Sequence, residues 1–386
     1  MSRAATGESR SRDSAQAGRD AARHALEGLG AEAHAVLVFA TAGYDQRVLL
    51  EAIRREVPNA ALAGCSGSGV ITRRGSDEGT HCVSVLAIRS DAARFVSLRE
   101  EGLSQDPEGL GARLGRRVGE LDAPRMLFLF PDGLTGNCSA LLRGLEGAAP
   151  TGLPVFGGAA GELMRFERTF QYADDGVASD SVSALAIEGD LRLELSISHG
   201  CRTLALEHTI TRAQGGTVFE IDGRPAWHVM REYLDDPNTD FSEAVPYLGL
   251  AQRLPGTTTE VIRVPLGVDV ASGTLFFPGE LPEGATLLMA RREIDDVISR
   301  SIEATTELAN RAGRSPLFVV QADCSGRGRL LFGDRVTEQV IEPVQRCLDP
   351  ATPWIGFHSY GEIAPLDGAP RYHNYTMALC AAYDGE

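Results

Sequence analysis

A short apolar run that breaks into a glycine-bounded loop occurs three times, and this repetition constrains the fold more than any other feature of the sequence. The clearest copy is Trp354-Ile355-Gly356-Phe357-His358-Ser359-Tyr360-Gly361-Glu362-Ile363. A second is Leu153-Pro154-Val155-Phe156-Gly157-Gly158-Ala159-Ala160-Gly161-Glu162, and a looser one is Ala61-Leu62-Ala63-Gly64-Cys65-Ser66-Gly67-Ser68-Gly69. Each follows an earlier apolar run ending in small and polar residues. These are Val36 to Phe39 before Ala40-Thr41-Ala42-Gly43, Met126 to Phe130 before Pro131-Asp132-Gly133, and Leu317 to Val320 before Gln321-Ala322-Asp323-Cys324-Ser325-Gly326. Self-similarity of this kind marks a repeated supersecondary unit.

Helical patterns separate the runs in the same order each time. Ser14 to Leu29, Pro107 to Leu121 and Glu293 to Ala312 carry apolar residues at helical spacing before the first run of each unit. Gln46 to Arg55, Ser139 to Gly147 and Val336 to Leu348 do so between the two runs. Cys82 to Ile88, Ser181 to Ile187 and Arg371 to Ala382 read as closing strands. Between the second and third units, hairpin strands turn at Gly215-Gly216, Arg224 to Leu234 reads as a short helix, and Asp235 to Gly256 reads as a boundary. Strands at Thr258 to Val264, Thr274 to Phe277 and Ala285 to Met289 follow.

The expected fold is α/β, with two domains built from repeated strand-helix-strand units, helix-covered mixed sheets, and hairpin strands between them. It places a disordered tail at 1–18, an N-terminal domain of two units at 19–235, and a C-terminal domain of one unit plus extra strands at 236–386.

Composition excludes several partners. A formal charge of -16 with no basic stripe repels nucleic acid and anionic membrane alike. The longest apolar runs are strand-sized and the N-terminus lacks a signal-type segment, so a cytoplasmic location is expected. Seven cysteines, scattered and never in a CxxC pair, indicate neither a disulfide framework nor a structural zinc site.

All the repeated loops follow strands, where ligands of α/β sheets bind and where helix N-termini point partial positive charge. Their glycines either let backbone N–H groups approach a ligand or merely permit sharp turns. Phosphate-loop, HExxH and GxSxG signatures are absent. Cys65 and Cys324 each precede Ser-Gly in such a loop, which leaves a nucleophilic thiol open beside a structural one. His373-Asn374-Tyr375-Thr376 lies close in sequence to Tyr360-Gly361-Glu362. A His, a Tyr and a carboxylate brought together would hold a small zwitterion or satisfy one another. The eight His residues form no metal-spaced cluster, although one alone suffices as an axial haem ligand.

The ordered series GCSGSG, PDGLTGN, VFGGAAGE, IDGRPA, CSGRG, GFHSYGEI and HNYT resembles the FIST family, with its N and C domains, from about Ala35 onward. The resemblance implies a non-enzymatic sensory module for a small polar ligand such as an amino acid. The ligand positions it implies are Gly64, Cys65, Asp132, Gly133, Gly157, Gly158, Cys324, Tyr360, Gly361, Glu362, His373 and Asn374. By motif it also carries over Gly161, Asp222, Gly223, Pro225, Gly356 and Thr376. Some similar proteins are nitric-oxide-sensing haem proteins that act on a histidine kinase. That alternative names His373, then His358, as the haem ligand; a cysteine-nucleophile enzyme is a further alternative. No kinase, methyl-accepting or cyclase segment follows, so output is expected to pass to a separate signalling protein.

Overall fold

The computed structural model describes residues 2–255 and 259–385. The first unit comprises β1 (Arg3–Ser9), α1 (Ser14–Leu29), β2 (Ala35–Thr41), α2 (Gln46–Glu56), β3 (Ala61–Gly67), β4 (Val70–Thr72), β5 (Gly75–Asp77) and β6 (Val83–Arg89). The second repeats it: β7 (Ala93–Glu101), α3 (Pro107–Gly119), β8 (Pro124–Pro131), α4 (Cys138–Ala148), β9 (Val155–Gly158), β10 (Gln171–Ala173), β11 (Gly176–Ala178) and β12 (Ser181–Gly189).

The third unit opens with β13 (Leu191–Ser198) and is then interrupted by an insert. The insert holds β14 (Cys201–Gln214), β15 (Thr217–Ile221), β16 (Arg224–Pro225), α5 (Ala226–Met230), α6 (Phe241–Ala244) and β17 (Leu248–Arg253). It continues through β18 (Glu260–Arg263), β19 (Gly267–Asp269), β20 (Thr274–Phe276) and β21 (Thr286–Arg292). The unit resumes with α7 (Ile294–Ala312), β22 (Phe318–Cys324), α8 (Arg329–Phe332), a π turn at Thr337–Ile341, α9 (Glu342–Gln345), β23 (Trp354–Ser359), β24 (Glu362–Leu366), β25 (Ala369–His373) and β26 (Met377–Asp384).

The three body sheets share one strand order. They read β1-β6-β2-β3-β10-β11, β7-β12-β8-β9-β24-β25 and β13-β26-β22-β23-β4-β5. In each, the two central strands pair in parallel and the rest antiparallel. Each unit therefore donates the hairpin after its third strand to another unit's sheet, and the three donations close a ring. The insert forms a fourth sheet, β18-β17-β21-β14-β15-β20-β19, with β16 on β15.

The expected mixed, helix-covered sheets are present, and periodicity explains their faces. Along β2, Leu37 and Phe39 enter a core enclosed by the three body sheets, while Val36 and Val38 face α1 and α2. Phe39, Phe130 and Phe357, one from each unit, meet in that core with ring centroids 4.4, 5.4 and 6.0 Å apart. Asp13, Asp45, Asp106 and Asn137 cap α1 to α4 through side-chain oxygens.

The start of the chain corrects the sequence reading. The stretch expected to be a disordered tail contains β1, paired with β6 from Arg3↔Arg89 to Ser9↔Val83, and the first turn of α1. Its small residues carry little apolar signal, and the hydrogen bonds that order it come from a strand far along the chain. The extra strands assigned to a C-terminal domain join β14 and β15 in the insert's sheet. Of the strand expected from Thr258, that first residue lies outside the described residues, as does Gly256 at the end of the expected boundary.

Candidate functional site

The third-strand loops meet at the centre of the body. Ser68 N donates to His358 O (2.9 Å), Gly161 N to Ser66 O (2.9 Å), and Tyr360 N to Ala159 O (3.0 Å), closing a ring that Ala159 N to Gly361 O (2.7 Å) and His358 N to Gly69 O (3.0 Å) reinforce. Most of the expected ligand residues are occupied in building this hub. A Cβ on Gly64 or Gly157 would stand 1.9 or 2.0 Å from the carbonyl oxygen of Val38 or Leu129. One on Gly133 would meet Ala160 O, and one on Gly361 the Tyr372 ring. Gly158 pairs with Glu362 across β9 and β24. Cys65 is fully buried in the central core, and burial pushes its thiol pKa well up. Asp132 accepts from the amides of Leu134, Thr135 and Asp180. The Tyr360 hydroxyl donates to Glu162, and burial raises its pKa. These residues organise loops and do not line a cavity together.

Cys324, Glu362, Asn374 and His373 lie elsewhere, around the end of β22, under the inserted sheet. Cys324 holds the place that Thr41 and Asp132 hold in the other units. Each of the three donates its amide to the start of its closing strand, at Cys82, Ser181 and Thr376. In the first two the side chain also caps a local amide. The Cys324 thiol sits beside the Gly326 and Tyr375 amides, but burial dominates and holds its pKa far above the ordinary value, with Glu362 adding to the rise. A thiol so held is a poor nucleophile. The chain also contains no lysine, so it offers no side-chain amine.

Behind Cys324 is a buried polar cluster of which the sequence reading named Glu362 but not Asp323, Arg327 or Arg292. Asp323 bonds Arg327 (2.7 Å) and Gln321 (2.7 Å), and Arg327 also donates to Ser301 (2.8 Å). Glu362 bonds Ser359 (2.6 Å) and the Thr376 amide (3.1 Å); burial first, then Asp323, raises its pKa well above the carboxylate range. From the insert, Arg292 donates to Pro246 O (2.8 Å) and Gly326 O (3.1 Å), with its guanidinium 3.7 Å over the Tyr375 ring. Tyr375 has φ +55°, a conformation costing a non-glycine residue about 1–2 kcal/mol, and its hydroxyl donates to Val245 O.

Four buried polar atoms near this seam have no hydrogen-bond partner among the described residues in addition to these: Arg292 Nε and Nη2, Arg327 Nη1, and Asn374 Oδ1. Outside them, a cavity of about 320 Å³ opens between His199, Cys201 and Arg300, Glu303 and Glu307 of α7. His199 Nδ1 accepts from the Cys201 amide (2.9 Å). Burial, with Arg327, Arg292 and Arg300 nearby, takes its pKa down to about 4, so the ring is neutral.

Neither proposed haem ligand fits an axial role in this arrangement. His373 is buried with Nε2 3.2 Å from Ala364 O, and His358 is fully buried with Nε2 2.7 Å from Ser76 Oγ. Neither lines the seam cavity or the 570 Å³ groove between α2 and the β10–β11 hairpin. His358 Nδ1 is unpartnered, but Glu78 packs close by, its carboxylate 3.8 Å from Nε2. No group of three metal-ligating side chains exists among the described residues, and no helix there is long and apolar enough to cross a membrane.

The three-unit body with a sheet inserted over one set of loops defines a mixed α/β protein with a buried polar seam between insert and body. The chain belongs to the FIST family: the FIST N domain matches 34–224 and the FIST C domain 226–365. The family's domains are associated with small-ligand sensing. An uncharacterized protein of Mycobacterium tuberculosis is 28% identical over 396 residues, covering 99% of this chain and all of its own. One from Mycobacterium bovis is 27% identical with 96% of each covered, and one from Methanocaldococcus jannaschii is 23% identical, covering 84% of this chain and 68% of its own. Among solved structures, cyanuric acid hydrolase from A. caulinodans matches 49% of this chain and 71% of its own at 12% identity. Its TM-score of 0.26 is too low to bear on fold or activity.

Proposed function

We propose that this protein is a non-enzymatic sensory module whose small polar ligand enters at the seam beneath the inserted sheet, and that binding resets how the insert rests on the body. The observation that carries this reading is the set of unpaired buried atoms on Arg292, Arg327 and Asn374. A buried polar group left without a partner costs about 1–3 kcal/mol. Arg292 belongs to the insert, and Arg327 and Asn374 belong to the body. A ligand that partners both sides is coupled to their relative position, which is the differential contact a sensor needs. Output passes to a separate signalling protein, a histidine kinase being the class the family resemblance implies. Leu206, Leu266, Val270 and Phe276 leave apolar surface exposed on the insert for such a contact.

Thermal-shift screening of a metabolite panel led by amino acids, followed by hydrogen exchange on each compound that binds, tests the reading. A true ligand raises the midpoint and protects 198–201, 286–292, 323–327 and 373–376. No stabilising compound, or protection confined to other segments, overturns it.

A further inference from the structure

We propose that the group recognised at the seam is a carboxylate, and that Arg292 takes it side-on through Nε and Nη2. The inference rests on the seam being the ligand site. Arg292 is the last residue of β21, 2% exposed, and pairs with Cys201 of β14, so the two side chains share a face and Arg292 lies next to the cavity that Cys201 lines. Two carbonyls hold Nη1, and the Tyr375 ring supports the guanidinium plane. What remains free is one edge of the guanidinium. Its two N–H bonds run parallel, at a spacing that matches the two oxygens of a carboxylate.

The other buried arginines show how unusual that free edge is. Arg263 spends Nε on Gln252 (2.9 Å) and Nη1 on Tyr372 O (2.6 Å), and leaves no buried nitrogen unpaired among the described residues. Arg327 spends Nε on Asp323 and Nη2 on Ser301, leaving a single nitrogen. Only Arg292 of the three presents an unpaired fork.

Charge points the same way. Asp323 offsets Arg327 at 2.7 Å, whereas Arg292 has no carboxylate within ion-pair distance among the described residues. Burial pushes the Glu362 pKa well up and takes that of His199 down to about 4. Arg292 is therefore a buried cation without a carboxylate partner among the described residues, and an unpaired buried charge is costly. A monocarboxylate balances it. A phosphate dianion would overshoot. The 320 Å³ cavity has room for the rest of a small acid; Arg300 holds Glu303 (2.8 Å), and Glu307 along the same wall favours a cationic group at the far end.

The test follows the Arg292 Nε–H resonance of the full-length, ¹⁵N-labelled chain during titration with acetate, L-alanine, L-alaninamide and inorganic phosphate. Acetate and L-alanine should move the resonance, and the amide and phosphate should not. Arg292→Lys keeps the charge but removes the fork, and should weaken carboxylate binding about tenfold or more. If L-alaninamide binds as well as L-alanine while hydrogen exchange still maps protection to the seam, the carboxylate assignment falls and the seam reading stands. If every probe protects another region, or none binds, both fall. Because the resonance is read in the wild-type chain, a variant that fails to fold does not remove the test.

Discussion

The amide of Ser68 donates to the carbonyl of His358 across 2.9 Å, tying the third-strand loop of the first unit to that of the third. Two equivalent bonds complete the ring, and the strands leading into it tolerate no added atom. Gly64→Ala or Gly157→Ala places a methyl group about 2 Å from a backbone oxygen that a sheet holds in place. Each should cost about 4 kcal/mol or more in urea unfolding. Gly152→Ala, at φ +77° with nothing nearby, should cost only about 1–2 kcal/mol. Equal losses at all three would show that close packing at the hub does not govern stability.

The Asp323–Arg327 pair, 2.7 Å apart and almost fully buried, sets a second expectation. Asp323→Asn or Arg327→Met alone strands the opposite charge and should destabilise by about 3–5 kcal/mol. The double variant should recover part of that loss. Urea midpoints for the four members of the cycle measure the coupling; additive losses would argue that the two side chains act independently.

Acid stability should depend on His373. Burial, with Arg263, His199 and Arg371 nearby, takes its pKa from 6.5 down to about 3. The unfolded chain binds the extra proton between those values, so the contribution is full above about pH 6.5 and is lost as the pH falls toward 3. His373→Asn should flatten the fall in urea midpoint over that interval. Glu362 acts in the opposite sense above the ordinary carboxylate range, so the comparison must be between variant and wild type. An unchanged slope in His373→Asn would assign the acid sensitivity to other groups.

The repeated units were legible because two strands and their helices announce themselves locally, through apolar runs such as Val36 to Phe39 and caps such as Asp45 and Asn137. The exchange of hairpins was not, because β4 pairs with β23 and β24 with β9 across long stretches of chain, and nothing in either short strand names its partner. Among the candidate residues, the motif led to Cys324, Glu362 and Asn374 at the seam but also to glycines that pack the hub. Arg292 was overlooked because Arg291-Arg292 at a strand end reads as solvated charge. A signal was available. Period two along β21 puts Arg292 on the face of Leu288 and Ala290, both buried, while Leu287 and Met289 enter the insert's own core.

The ring of donated hairpins also bears on how the chain can be made. The sheet of the first unit lacks its outer strands until β10 and β11 have been synthesised, and that of the second until β24 and β25 follow. The third needs β26, at the far end, between β13 and β22. A growing chain therefore carries open sheet edges from its first unit until its last has been made. Such edges pair readily with other chains. Dependence on protection during synthesis, and not any weakness of the completed molecule, is the vulnerability this topology creates.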